Sequence, residues 1–194
     1  MSLQVCASLI ISVFLALFSG HGVALAASDD IVRIEPLIRD GQLYIDADVN
    51  LEISDELRTA AERGIPLYFV AEVKIVSPRW WWFDKVVVDK RQTWRILYNV
   101  LTQEWRVGTG ELSLSEPSLD DALAFVRNIR GWSVTPANEL EPDVEYEGRL
   151  RVRLDSTRLP RPFQVDSYNS KAWSLSTPWK NFSFLISEPA PTSS

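Results

Sequence analysis

Between Gln42 and Ile53, apolar and polar residues alternate at every position. The apolar set is Leu43, Ile45, Ala47, Val49, Leu51 and Ile53, and the other set is Gln42, Tyr44, Asp46, Asp48, Asn50 and Glu52. Successive side chains of a β-strand point to opposite faces, so this period of two predicts a long strand with one buried and one solvated face. Such a strand requires neighbours in a sheet and a second layer that covers its apolar side.

Further strand signals surround this segment. The run Ile31–Ile38 precedes it across Asp40-Gly41, and Asp-Gly between two apolar runs indicates a two-residue hairpin turn. Further strands are predicted at residues 65–76, 85–101, 103–111 and 146–154, with one edge strand within residues 176–186.

Two short helices interrupt the strands. Ser54 can cap a helix over Asp55–Arg63, and Ser118 can cap another over Ser118–Arg130 that ends at Gly131. Seven or eight antiparallel strands with two short helices predict a mainly β fold, an antiparallel β-sandwich of immunoglobulin-like size.

The N-terminal segment has the pattern of a secretory signal. Its core from Leu9 to Phe18 is rich in Leu, Ile, Val and Phe, and Ala24-Leu25-Ala26 supplies small residues at a cleavage site. We expect cleavage after Ala26, a periplasmic location, a single domain over residues 27–187 and a disordered tail over 188–194. An uncleaved membrane anchor is the alternative, and membrane contact is expected only in that case.

Several chemistries require residue types that the expected mature chain lacks. Its cysteine, histidine and methionine are Cys6, His21 and Met1, all within residues 1–26. The sequence therefore predicts no Cys-His or Ser-His-Asp catalysis, no zinc site, no cofactor and no disulfide. Carboxylate-pair hydrolysis, a Ser-Lys dyad and calcium binding stay open. The formal net charge of −6 argues against nucleic acid as a partner.

One candidate site is the aromatic segment that contains Arg79, Trp80, Trp81, Trp82 and Phe83. Packing of these rings into the core is the leading interpretation, because buried aromatic side chains contribute a large apolar area. A binding patch for another protein is the second, because Trp and Arg dominate interface hot spots. Contact with the inner membrane and a platform for sugars are further alternatives.

A second candidate is the row Arg149, Arg151 and Arg153, which shares one face of a predicted strand. Guanidinium groups in a row can bind phosphate, lipid headgroups or an acidic protein. The favoured alternative is a solvated face balanced by carboxylates of a neighbouring strand, for which Asp46, Asp48 and Glu52 are suitable.

Carboxylates also cluster before and within this strand, at Glu139, Glu141, Asp143, Glu145 and Glu147. Two carboxyl groups facing each other across a cleft could hydrolyse a glycosidic bond. The region from Glu139 to Asp143 could alternatively hold calcium, although a solvated loop is the simpler reading. No catalytic or metal-binding residue is assigned.

Several segments occur in an order that resembles a known family. They are "RWWWFDK", "LTQEWRV", "SLDDALAFVRNIRGW", "LDSTRLPRP" and "WSLSTPWKNF". Together they resemble an exported proteobacterial family catalogued as domain of unknown function 4390, over nearly the whole expected mature chain. The resemblance implies export and a single domain. Members of this family are often encoded near a membrane sensor kinase, so the resemblance also implies a role in envelope signalling. It supplies no catalytic residues.

The sequence therefore favours a periplasmic, non-enzymatic interaction module that binds an envelope or inner-membrane protein, as an accessory to a membrane sensor system. The alternative is a carboxylate-dependent hydrolase of envelope polysaccharide.

Overall fold

The computed structural model describes residues 29–78, 84–161, 163–164 and 171–186. Its strands are β1 (Asp30–Arg39), β2 (Gln42–Asn50), β3 (Leu67–Ser77), β4 (Lys85–Asn99), β5 (Glu104–Thr109), β6 (Leu112–Glu116), β7 (Asn128–Pro136), β8 (Glu145–Leu154) and β9 (Lys180–Leu185). Its α-helices are α1 (Asp55–Glu62) and α2 (Leu119–Arg127), and its 3-10 turns are Ala137–Glu139, Ser156–Arg158 and Lys171–Trp173.

The strands form two antiparallel sheets that face each other. The three-stranded sheet has the order β1-β2-β7, and the six-stranded sheet has the order β6-β5-β4-β3-β8-β9. Helix α2 contacts strands of both sheets. The fold is therefore mainly β, with two sheets and two short helices, and the predicted β-sandwich class is confirmed. Strand β9 occupies an edge, as predicted.

The alternating segment forms β2 with the expected faces. Leu43, Ile45 and Ala47 are fully buried in the core between the sheets. The turn into β2 places Asp40 at φ 50° and Gly41 at φ 71°. Left-handed geometry at both central residues is typical of the type I′ hairpin turn that an Asp-Gly pair favours.

Both helices begin where the sequence predicts. The Ser54 hydroxyl oxygen accepts a hydrogen bond from the Leu57 N–H at 3.1 Å, and the Ser118 hydroxyl oxygen accepts one from the Asp121 N–H at 3.1 Å. Each serine thus satisfies a backbone donor that the first turn of a helix leaves without a partner.

The predicted helix over Ser118–Arg130 is wrong beyond Arg127, because strand β7 begins at Asn128. Gly131 does not end a helix: it lies in a bulge of β7, where Arg130 and Gly131 both lie opposite Asp46. Its φ is 59°, and its N–H donates a hydrogen bond to the Asp46 Oδ1 at 2.6 Å. A glycine takes this left-handed conformation without the strain of a Cβ.

Strand β6 is a second element that the sequence pattern did not predict. It follows β5 after a turn at Gly110 and pairs with β5 at the other edge of the six-stranded sheet. Within the described residues, no helix has the length and apolar character needed to cross a membrane.

Candidate functional site

The aromatic candidates lie outside the described residues, between the end of β3 at Ser77 and the start of β4 at Lys85. They are Arg79, Trp80, Trp81, Trp82 and Phe83. Both packing and partner binding stay predictions for this segment.

The arginine row does lie on one face of β8. Tyr146, Leu150 and Val152, which alternate with the arginines, are buried in the core. Arg149, Arg151 and Arg153 therefore point away from the three-stranded sheet. We call this side of β4, β3, β8 and β9 the outer face.

Glu72 lies at the centre of the outer face. On β3 it pairs directly with Arg91 of β4 and Arg151 of β8. Arg151 donates from both Nε and Nη2 to the Glu72 Oε2, with Nε at 3.0 Å. Arg153 Nη2 donates to Oε1 at 3.1 Å, and Arg91 Nε lies 3.3 Å from Oε1. One carboxylate thus holds three guanidinium groups.

The Glu72 carboxylate is almost completely covered. Only 4% of its side chain is exposed. Burial is the largest influence on its pKa and raises it, but the hydrogen bonds from Arg151 and Arg153 outweigh burial, so the pKa of Glu72 lies below its usual value. A buried carboxylate with this many charged donors stays ionised at neutral pH. Three positive charges against one negative charge leave the group positive.

Trp179 orients the arginine row from the side of β9. Its ring centroid lies 4.5 Å from the Arg151 Cζ and 4.9 Å from the Arg149 Cζ. Guanidinium groups are attracted to the face of an indole ring and are held there. Arg149 and Arg151 are therefore ordered by an aromatic ring as well as by the sheet.

Three further contacts extend the positive region beyond the end of β8. Asp155 lies 3.7 Å from Arg153 Nη1 and 3.5 Å from Arg158 Nε. The Arg158 guanidinium also lies over the Tyr68 ring at 5.3 Å. We define the arginine cluster as Arg91, Arg149, Arg151, Arg153 and Arg158 with the carboxylates Glu72 and Asp155.

The prediction that Asp46, Asp48 and Glu52 balance the arginine row is wrong. Asp46 and Asp48 belong to β2 of the other sheet, whereas β8 pairs with β3 and β9. Asp48 instead binds Arg33 of β1 and Arg130 of β7. Similar alternation on two strands does not make them neighbours, because neighbours are set by the order of strands in the sheet.

The opposite end of β8 is acidic on the same face. Glu145 and Glu147 line an open groove of about 790 Å³ together with Asp84, Lys74 and Arg149. The outer face therefore changes from negative to positive along β8.

In the part of the chain that the structure describes, no three His, Cys, Asp or Glu side chains come together as a metal site. The calcium hypothesis therefore gains no support from these residues. Glu139, one of its proposed ligands, accepts a hydrogen bond from the Thr135 hydroxyl at 2.6 Å.

Sequence reasoning did not identify Glu72. The signal was present, because Glu72 interrupts the apolar run "YFVAEVKIV" in the middle of a strand with both neighbours buried. A charged residue at such a position requires a charged partner.

Comparison with known proteins identifies one family. The family model described as Domain of unknown function (DUF4390) matches residues 26–183, and the chain belongs to this family. No curated protein matches. No solved structure matches either.

Proposed function

We propose that this protein is an exported, non-enzymatic interaction module of the cell envelope, which binds another envelope or inner-membrane protein through its outer face. The observation that carries the proposal is the arginine cluster. It concentrates five guanidinium groups around two carboxylates in a chain whose formal net charge is −6.

The contacts of the cluster favour binding over a purely structural role. Holding Glu72 in place requires fewer cations than the outer face supplies, and the side chain of Arg91 remains 62% exposed. Glu72 and Trp179 order the guanidinium groups before any partner arrives. Binding then costs less side-chain entropy than it would for mobile arginines.

The proposed location is the periplasm, with the signal removed after Ala26, and the proposed role is accessory to a membrane sensor system. N-terminal sequencing of the protein purified from the periplasm tests the location. A chain that begins at Ala27 supports it, and an intact N-terminus in the membrane fraction supports the anchored alternative.

The binding proposal is tested by crosslinking in intact cells. A photoreactive residue at Ser183, which is exposed on the outer face, is compared with one at Thr59, which is exposed on α1. Capture of a specific envelope protein from position 183 and not from 59 supports the proposal. Equal capture patterns from both positions contradict it.

The aromatic segment is a second proposed contact. A photoreactive residue at Trp81 is expected to capture the same envelope protein if this segment extends the binding surface. If the photoreactive residue at position 81 captures nothing and Trp81→Ala lowers the melting temperature, the segment serves packing.

A carboxylate-dependent hydrolase is the second candidate function, and the groove is the observation that favours it. Asp84, Glu145 and Glu147 all line the groove. Purified protein would release soluble fragments from envelope polysaccharide, and Glu145→Gln and Glu147→Gln would each abolish that release. Wild-type protein that releases no fragments contradicts this candidate.

A further inference from the structure

The charges of β8 are antisymmetric about one residue. Around Gly148 the outer-face side chains read Glu145, Glu147, then Arg149 and Arg151. A residue that lies a given number of positions before Gly148 thus has the opposite charge from the residue that lies the same number after it. Such a pattern is its own complement when the strand is reversed.

We infer that the outer face binds a second copy of this chain across a two-fold axis, which deepens the proposed function by naming the partner and rests on it. The axis lies between the two outer faces, perpendicular to β8, and passes over Gly148. It places Glu147 opposite Arg149 of the second copy and Glu145 opposite Arg151. Each contact occurs twice, as in any isologous interface.

The neighbouring strand β9 has a matching pattern about the same axis. Gly148 pairs with Phe182, so the axis also passes over Phe182. Asn181 then lies opposite Ser183 of the second copy, which allows a hydrogen bond. Trp179 lies opposite Leu185, whose side chain is 56% exposed. The dimer thereby covers an exposed apolar residue with an aromatic ring.

Strand β3 on the other side of β8 introduces no conflict. Gly148 pairs there with Ile75, so Lys74 lies opposite Val76 of the second copy. No two like charges of β3 are brought together. The two strands beside β8 are therefore compatible with the axis that the charges of β8 define.

The overlap that this axis allows is smaller than the whole outer face. Strand β8 begins at Glu145, three positions before Gly148, so the two copies overlap over about seven residues of each of four strands, or roughly 440 Å² in plan at ~3.3 Å per residue and ~4.8 Å between strands. The interface is therefore smaller than the ~800 Å² per partner of a standard interface and is of the size that weak dimers bury.

The contacts within each chain leave donors for the second copy. Arg151 uses Nε and Nη2 for Glu72, which leaves its Nη1 for Glu145 of the second copy. Arg149 rests on Trp179, and Glu147 is exposed. Glu72 thus positions Arg151 without occupying the nitrogen that the second copy needs.

Charge exchange tests the inference on the purified protein. Sedimentation at increasing protein concentration measures the dimer dissociation constant of wild type, Glu147→Lys, Arg149→Glu and the control Glu104→Lys, an exposed carboxylate on β5. We expect wild type and control to dimerise, and each of the other two variants to dimerise at least about tenfold more weakly, because like charges then face each other twice.

Mixing the two weakened variants is the decisive step. The lysine introduced at position 147 of one chain then faces the glutamate introduced at position 149 of the other. The second contact keeps its wild-type pair, so the mixture should form heterodimers about as tightly as wild type. Melting curves of the separate variants confirm that each is folded.

Three results overturn the inference: wild-type protein that stays monomeric at all concentrations, single variants that dimerise as tightly as wild type, or a mixture that stays monomeric. If the inference fails while position 183 captures a different envelope protein in cells, the proposed function stands without the dimer. If the inference fails and position 183 also captures no specific protein, the dimer and the proposed function both fail.

Discussion

Each sheet has a group of arginines and carboxylates on its solvent side, and the two groups differ in burial and balance. On the three-stranded sheet, Asp48 binds Arg33 and Arg130, and 31% of the Asp48 side chain is exposed. On the six-stranded sheet, three arginines surround Glu72, whose side chain is 4% exposed.

The difference separates two uses of the same chemistry. The Asp48 group joins β1, β2 and β7 at little cost, because its charges stay largely hydrated. The Glu72 group buries a carboxylate, and only its surplus of guanidinium groups makes that burial tolerable. The surplus also leaves the part of the outer face around Glu72 positive, which is the property a binding surface can use.

Removing each central carboxylate should give the largest contrast. Glu72→Gln leaves three guanidinium groups around a neutral amide and should lower the free energy of unfolding by about 2–4 kcal/mol. Asp48→Asn should lower it by about 0.5–1 kcal/mol, because water replaces the lost contacts. Denaturant titration measures both, and equal losses would show that the two carboxylates do not differ in what their burial costs.

Acid should remove the contribution of Glu72. Its pKa is lower in the folded protein, so its stabilisation is present above the unfolded-state pKa of about 4.3 and is lost as pH falls through the lower folded value. The stability difference between wild type and Glu72→Gln should be constant from pH 7 to about 5 and should shrink below that. A difference that persists at pH 2 would show that the variant acts through packing.

The aromatic supports should contribute less. Trp179→Leu removes the ring beneath Arg149 and Arg151 and should cost about 1 kcal/mol. The matched change on the other sheet is Tyr44→Leu, which removes the ring beneath Arg39 at 4.9 Å and should cost about half as much, since one cation is involved. Thermal melting of the two variants checks the order.

Salt should produce the smallest effect and act mainly on one sheet. At about 1 M salt the screening length falls to ~3 Å, so the cost of Asp48→Asn should nearly vanish. The cost of Glu72→Gln should largely remain, because its partners exclude water. Repeating the titrations in salt decides this, and a parallel loss for both variants would place Glu72 in solvent.

Much of the fold could be predicted from local patterns. The alternation of β2, the Asp40-Gly41 turn and the caps Ser54 and Ser118 each depend on residues within a few positions, and each is confirmed. Strand β7 could not be recognised in this way. Its first residues continue the helical spacing of α2, and Gly131 resembles a helix stop, whereas its glycine serves a bulge against Asp46.

The candidate site was predictable only in part. The three arginines of β8 share a face as their spacing requires, but their partner Glu72 is 79 positions away from Arg151 in the sequence. Which carboxylate lies beside them depends on the order of strands, and no local pattern encodes that order. The acidic half of β8 was visible as a cluster, whereas its relation to the arginines appears only when Gly148 is taken as a centre.

The burial of Glu72 also constrains the order in which this sequence can change over time. Losing Glu72 first would leave three guanidinium groups without the carboxylate that they share. Losing Arg91 first leaves the carboxylate with two partners. Neutral drift should therefore begin at the exposed Arg91 and reach Glu72 last. Folded members of a variant library should accordingly contain Glu72 substitutions mainly together with changes at the surrounding arginines. The effect of a substitution at Glu72 thus depends strongly on positions that are distant in the chain.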